Sequence, residues 1–251
     1  VSNLDIINGA DVIIWTTTPW TIPANKALAY NAGLKYVLLE INDNKNFIDR
    51  KIVIAKDLLE PFKKDTSIEN IKVLNEFLGK DLKGTICSHP FSKMGYDYDI
   101  PMLEANFVTT EQGTGVVHCA PSHGPDDFNL CLNNNIKAIE TVDGDGKYTN
   151  EIKHFEGLHI FKANNLIIEK LNEQKNLVTN GKLTHSYPHS WRSKAPLVHR
   201  ATPQWFISME SHGLRDKALK AIDNTDFYPS KGKERIKSCL LYTSPSPRDS
   251  L

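Results

Sequence analysis

Cysteine is scarce in this chain. Four residues in 251, at positions 87, 119, 131 and 239, form no C-x-x-C pair. That count excludes a disulfide scaffold and points to buried thiols in a reducing compartment. Charge of one sign is missing too, with 30 Lys and Arg against 30 Asp and Glu. A uniformly basic coat for nucleic acid is therefore excluded, although a local basic patch is not. No apolar run approaches the roughly 18 residues that a membrane span needs. There is neither an initiator Met nor a basic-then-apolar leader, so the sequence reads as an internal piece of a longer cytoplasmic protein. Arginine is sparse at 6 of the 30 basic residues. Together with the asparagine clusters, this reflects AT-rich coding rather than a lysine-specific role. No internal repeat is visible. What is present is ordinary for a globular protein: 40% hydrophobic and 24% charged residues, in a chain long enough to bury a core without staples.

The patterning alternates short strands with a few helices. Asp11 to Thr17 is β-branched and apolar and predicts a buried strand. It runs into a segment whose prolines, Pro19 and Pro23, predict a rigid irregular loop. Tyr36 to Ile41 and Lys51 to Ala55 predict strands joined by the polar connection Asn42 to Asn46. Further strands are expected at Ile71 to Leu78, Gly84 to Cys87 and Val116 to Ala120, with a short helix at Lys56 to Phe62. Pro125, Asp126 and Asp127 suit the first turn of a helix whose apolar face would be Phe128, Cys131 and Leu132. Ile160, Ala163, Ile167 and Leu171 mark the buried stripe of another, and Gly213 to Ile222 predicts a last one. Tyr187 to Met209, aromatic and proline-rich, reads as an extended ribbon outside the compact body. The sum predicts an α+β fold with a barrel-like mixed β-sheet and peripheral helices.

Two segments could carry chemistry. In Trp15 to Asn25 (WTTTPWTIPAN), three threonines at the exit of a strand place hydroxyls on a rigid rim. Such a rim suits a small polar substrate or a ribose, or is simply a β-branched strand end. In Gly113 to Phe128 (GTGVVHCAPSHGPDDF), His118 and Asp127 flank a strand-to-helix turn, a common place for a site. Asp127 could bind an ammonium group or orient a water; it could equally be a helix-cap acid, with His118 a satisfied core histidine. A Cys119 thiol paired with His118 is disfavoured, because neighbours on a strand face opposite ways. A metal held by His118, His123, Asp126 and Asp127 fits no standard spacing. Gly113-Thr114-Gly115 lacks the rest of a phosphate loop.

Taken together with Tyr187 to Met209 (YPHSWRSKAPLVHRATPQWFISM), these two segments resemble the isoleucyl-tRNA synthetases. The order and spacing match the editing domain inserted in their catalytic domain, followed by its return linker, over about Val12 to Ser238. The resemblance implies hydrolysis of mischarged Val-tRNA(Ile) after transfer, the second sieve of a double-sieve enzyme. It implies that Thr16, Thr17, Thr18, Asn25, His118 and Asp127 bind substrate. Asp127, His118 and Thr18 would serve catalysis, with Asp127 gripping the α-ammonium. The terminal ribose hydroxyl of the tRNA can assist the attacking water, so a protein base is not required. The implied partner is the acceptor end of tRNA(Ile), and a monomer is expected.

The resemblance also implies boundaries: a lead-in linker over 1–10, the editing domain over 11–185 and the return linker over 186–238. Relatives carrying Cys where this chain has Ser190 and Ser193 make a zinc half-site. Serine is a poor zinc ligand, so no metal is expected here. The ATP-site signatures of the family appear nowhere, which assigns ATP and magnesium to a missing catalytic domain. Residues 239–251, beginning CLLYTSPSPRD, resemble a translated sequencing adapter and are expected to be non-native and unpacked. Two other functions remain on this reading: a tRNA-acceptor binding module without hydrolysis, and a metallohydrolase using His118, His123 and Asp126.

Overall fold

Why most of these strands were legible is plain from their packing. The computed structural model describes residues 1–43, 46–184 and 186–241. In chain order they form β1 (Asp11–Val12), β2 (Ala27–Tyr30), β3 (Lys35–Ile41), β4 (Arg50–Ala55), α1 (Leu59–Thr66), β5 (Ile71–Leu78), β6 (Ile86–Ser88), β7 (Asp99–Glu104), β8 (Val117–Cys119), α2 (Pro125–Asn133), α3 (Ile160–Glu173), α4 (Leu214–Asp223) and α5 (Lys231–Leu241). The strands make two mixed four-stranded sheets, ordered β1-β4-β3-β5 and β6-β7-β2-β8. The fold is α+β.

Side chains alternate across each sheet, and both faces are covered. Tyr36 and Leu38 of β3 and Val53 and Ala55 of β4 meet Leu28 and Tyr30 of β2 and Ile100 and Met102 of β7 in one shared core. The opposite residues, Val37, Leu39 and Ile41 with Ile52 and Ile54, pack on Phe62 of α1. On the far side of the second sheet, Ala27, Ala29 and Cys119 pack on Cys131 of α2. Burial on both faces is what makes β3 and β4 read as near-continuous apolar runs.

α3 buries the predicted stripe and nothing else: Ile160, Ala163, Ile167 and Leu171. Its three large aliphatics contribute about 1.5–3 kcal/mol each. They join Trp20, Phe91, Tyr96, Tyr148 and Phe155 in an aromatic-rich core. On α2 the predicted apolar face is largely unburied: Cys131 is buried, whereas Phe128 and Leu132 are exposed. The small side chains of Ala27 and Ala29 admit the helix along a narrow seam.

Three readings change. The strand expected over Asp11 to Thr17 ends at Val12, with one further bond from Ile13 N–H to the Val53 carbonyl. β2 and β7 were invisible in sequence, because β2 is half alanine and Pro101 interrupts β7. The ribbon Tyr187 to Met209 is mostly irregular, but residues 198–202 belong to the first compact unit. That unit is 1–186 with 198–202; the second comprises 187–197 and residues from 203 onward. Within the second, Ser190 and Ser193 sit in a tight turn closed by a His189–Pro196 bridge, and the Ser190 hydroxyl accepts Ser193 N–H at 3.2 Å. α4 is the expected last helix, and α5 follows it unannounced. α5 continues through Cys239 to Leu241, whose side chain is exposed. Residues 242–251 of the expected tail, His185 at the expected domain boundary, and Asn44 and Lys45 in the β3–β4 connection lie outside the described residues. Among the described residues no helix is long and apolar enough to cross a membrane.

Candidate active site

The threonine-rich segment is a built loop rather than a strand end. Thr16 Oγ1 accepts Thr18 N–H at 3.0 Å, a local turn that competes with strand pairing. Pro19 then opens a 3-10 helix, Pro19–Ala24, where an irregular loop was expected. Proline suits its first position, having no N–H to leave unpaired. Pro23 leaves the Trp20 carbonyl without its i+3 donor, and the buried Tyr148 hydroxyl donates to that carbonyl instead, at 2.5 Å. Trp20 N–H in turn donates to Asn164 Oδ1 on α3 at 3.0 Å. The loop is thus fixed from the α3 side.

Gly113-Thr114-Gly115 fixes the approach to it. Thr114 Oγ1 donates to the Ile13 carbonyl at 2.6 Å, Ala55 N–H donates to the Thr114 carbonyl at 2.8 Å, and the Tyr36 hydroxyl donates to the Gly115 carbonyl at 2.7 Å. Gly115 has φ +74°, and a Cβ there would stand 2.2 Å from Ala55 Cβ. Gly115 serves a close backbone joint and Gly113 a positive φ of +86°, which accounts for a motif that only superficially suggests phosphate binding.

His118 lies on β8 opposite Leu28 of β2. Its Nε2 meets Thr21 Oγ1 at 3.0 Å, and its Nδ1 meets Asn25 Nδ2 in a short contact. The other Asn25 amide proton goes to the Ala27 carbonyl at 3.2 Å. Burial, then the neighbouring His123, pushes the His118 pKa down to about 4, against a smaller opposing effect of the Thr21 bond. The ring is neutral at pH 7. Asn25 Oδ1 is the one buried side-chain polar atom among the described residues with no hydrogen-bond partner.

These groups face a cavity of about 1620 Å³, larger than the roughly 300–1,000 Å³ of most small-molecule pockets. Thr16, Thr17, Asn25 and His118 line it, as do Trp15, His89 and Asn164. Thr18 and Asp127 are not on its wall. Thr18 supports the loop beneath, its carbonyl accepting both the N–H and the hydroxyl of Thr21 at 2.9 Å. Asp127 sits in the first turn of α2, where Oδ2 accepts Ala120 N–H at 2.9 Å. Burial, with Asp126 adding to it, raises its pKa above the usual carboxylate value, while the Ala120 bond opposes the shift.

Cys119 points away from the cavity, fully buried among alanines, and burial raises its thiol far above the ordinary range. It is no nucleophile. His123 is occupied elsewhere: Nδ1 donates to the His199 carbonyl at 3.0 Å and Nε2 accepts from Thr141 at 2.8 Å. Among the described residues no three His, Cys, Asp or Glu side chains gather as a metal site would require.

The family model for the leucyl-tRNA synthetase editing domain matches residues 32–180. The chain belongs to this editing-domain family of aminoacyl-tRNA synthetases. The chain is 70% identical over 244 residues to the isoleucine–tRNA ligase of Pelagibacter ubique, covering 97% of this chain and 27% of that protein. Against the isoleucine–tRNA ligase of Gluconobacter oxydans the figures are 44% over 250 residues, 93% and 26%. Against that of Francisella tularensis strain WY96-3418 they are 48% over 238 residues, 94% and 24%. The chain therefore spans about a quarter of the length of these relatives. Its fold is shared with the crystal structure of GlLeuRS-CP1, at a TM-score of 0.56 and 15% identity over 71% of this chain and 87% of that one. It is also shared with the editing domain of the P. knowlesi cytosolic leucyl-tRNA synthetase, at 0.51 and 13% over 69% and 85%.

Sequence reasoning passed over three residues that build the site of this editing domain: Thr21, Thr114 and Tyr148. Thr114 and Thr21 each sit inside a motif singled out for its neighbours, so the signal was present. Tyr148 carried none, because its partner carbonyl is 128 residues away in sequence.

Proposed function

We propose that this chain is the post-transfer editing module of an isoleucine–tRNA ligase, hydrolysing the ester of valine on tRNA(Ile). The observation that carries the reading is the cavity wall, where threonine hydroxyls, Asn25 and a neutral His118 converge in a member of the editing-domain family. The size of the cavity suits an aminoacyl group together with a terminal nucleoside. Thr16 and Thr17 offer hydroxyls to that nucleoside or to the amino acid. Asp127 is off the cavity wall, and its proposed grip on the α-ammonium rests on its chemistry: ionised, it presents only acceptors, and holding that group would position the ester carbonyl for water. Thr18 acts by setting the loop. The tRNA ribose hydroxyl assists the water, so the protein need not take its proton. Neither metal nor cofactor enters this step. ATP and magnesium belong to ligation in the remaining three quarters of the enzyme, which works in the cytoplasm as a monomer. The balanced charge of this piece offers little general attraction for a polyanion, so most of the grip on tRNA lies outside it.

Single-turnover deacylation with the chain in excess tests this. Val-tRNA(Ile) should be hydrolysed, Ile-tRNA(Ile) spared, and Asp127→Ala should abolish the reaction. Binding of the acceptor end with no hydrolysis by the unaltered chain would replace this reading with a non-hydrolytic tRNA-binding module.

A further inference from the structure

The hydrogen bonds around His118 leave no choice of proton positions. An Asn side-chain nitrogen can only donate, so Asn25 Nδ2 against His118 Nδ1 makes Nδ1 an acceptor. The opposite assignment of the Asn25 amide would set its oxygen against the Ala27 carbonyl, two acceptors facing each other. The neutral imidazole must then carry its proton on Nε2 and donate to Thr21 Oγ1. Thr21 has one hydroxyl proton, and that proton is spent on the Thr18 carbonyl at 2.9 Å. Each donor in the chain Asn25, His118, Thr21, Thr18 finds one acceptor, and no step can be reversed without creating a clash.

We propose that Thr21 is a positioning residue for editing, fixing the His118 ring in its Nε2–H tautomer and holding its edge toward the substrate, so that His118 acts without exchanging protons. Thr21 is itself buried and anchored in the 3-10 helix between Trp20 and Ile22. Turning that hydroxyl toward the ring would set its proton against the His118 N–H and leave the Thr18 carbonyl with only the Thr21 N–H. Protonation of the ring would place a second N–H against the Asn25 amide protons. The neighbouring rings agree with this: burial lowers the pKa of both His123 and His89, that of His89 to about 3. His118 then serves as a rigid polar edge beside the ester, and the water is activated by something other than this ring. The effect on rate rests on the deacylase reading above; the tautomer does not.

The test uses the whole chain with histidine labelled by ¹⁵N, and His118→Gln to assign the His118 signals among the nine histidines. The unaltered chain should show the Nε2–H tautomer, unchanged from pH 7 to pH 5. A Nδ1–H tautomer, or titration near pH 6.5, would overturn the proposal without any activity measurement. Thr21→Val, nearly the same shape without the hydroxyl, should mix the tautomers and lower the single-turnover rate about tenfold with little change in KM. Thr21→Ser should restore both. Equal losses in Val and Ser would assign the effect to packing and overturn the role, as would a Val variant with an unmoved spectrum. Failure of the unaltered chain to deacylate would count against the proposed function alone, since the spectrum still decides the tautomer.

Discussion

Replacing Gly115 by Ala is the sharpest probe of how the site is held together. The backbone there has φ +74°, and the new methyl would stand 2.2 Å from Ala55 Cβ and 3.4 Å from Ala55 Cα. Two costs follow. A left-handed conformation costs an alanine about 1–2 kcal/mol more than a glycine. Forcing a methyl into a filled joint costs about 1–3 kcal/mol, because β4 must move or the Thr114 turn must open. The expected loss is about 2–5 kcal/mol out of a total that for most domains is about 5–15 kcal/mol. Urea unfolding followed by tryptophan fluorescence measures it, since Trp20 is only 4% exposed and reports on this unit. With a slope of about 3 kcal/mol per M, the midpoint should fall by about 0.7–1.7 M. Gly144→Ala is the control. That glycine is exposed, has no positive φ and has no atom within 4 Å of the added Cβ, so its stability should stay within about 0.5 kcal/mol of the unaltered chain, a midpoint shift of about 0.2 M at most, or rise slightly. The reasoning is refuted if the two variants unfold together, or if Gly115→Ala keeps its full midpoint.

Acid should destabilise the chain through two buried rings. Burial lowers the His118 pKa to about 4 and that of His89 to about 3, from an ordinary 6.5. As pH drops through 6.5 the unfolded chain takes up protons at both while the folded chain does not, so stability falls by about 2 kcal/mol per pH unit for the pair, averaged between pH 7 and pH 5. Urea midpoints between pH 7 and pH 5 read this, and His118→Gln should make the slope clearly shallower, leaving the share of His89 and of His123, whose pKa burial also lowers; an unchanged slope would contradict the burial argument. Asp127, whose pKa is raised, works the other way: its charged form is the disfavoured one, and protonation relieves it. Asp127→Asn keeps an acceptor for Ala120 N–H and loses the charge, so it should retain the urea midpoint at pH 7 while losing deacylation; a stable and fully active Asn variant would remove the ammonium-binding role.

How much of this was legible in the sequence depends on where each residue's partners lie. β3 and β4 were legible because both faces are buried, and α3 because its four-residue stripe is the whole of its buried face. β2 was not, since its alanines matter only against Cys131 of a distant helix. Thr16 and Thr17 were read as the end of a strand because their residue types favour one. The structure shows a hydroxyl-to-backbone bond winning over pairing at Thr16. Of the six candidate site residues, four line one cavity and two do not, a division that turns on the path of the loop and the β8–α2 corner rather than on composition.

That corner bears on how the domain tolerates change. β8 is three residues long, too short to hold its alignment by ladder bonds alone. Just beyond its C-terminal end a carboxylate seven residues further on, that of Asp127, grips Ala120 N–H. Slipping the strand by one residue would turn every side chain over. Cys119 would then enter the cavity, and the imidazole would be driven into an alanine-lined crevice. Insertions or deletions of single residues between positions 115 and 127 should therefore be far more damaging than substitutions there. Asp127 acts as the peg that keeps histidine and cysteine in their separate compartments.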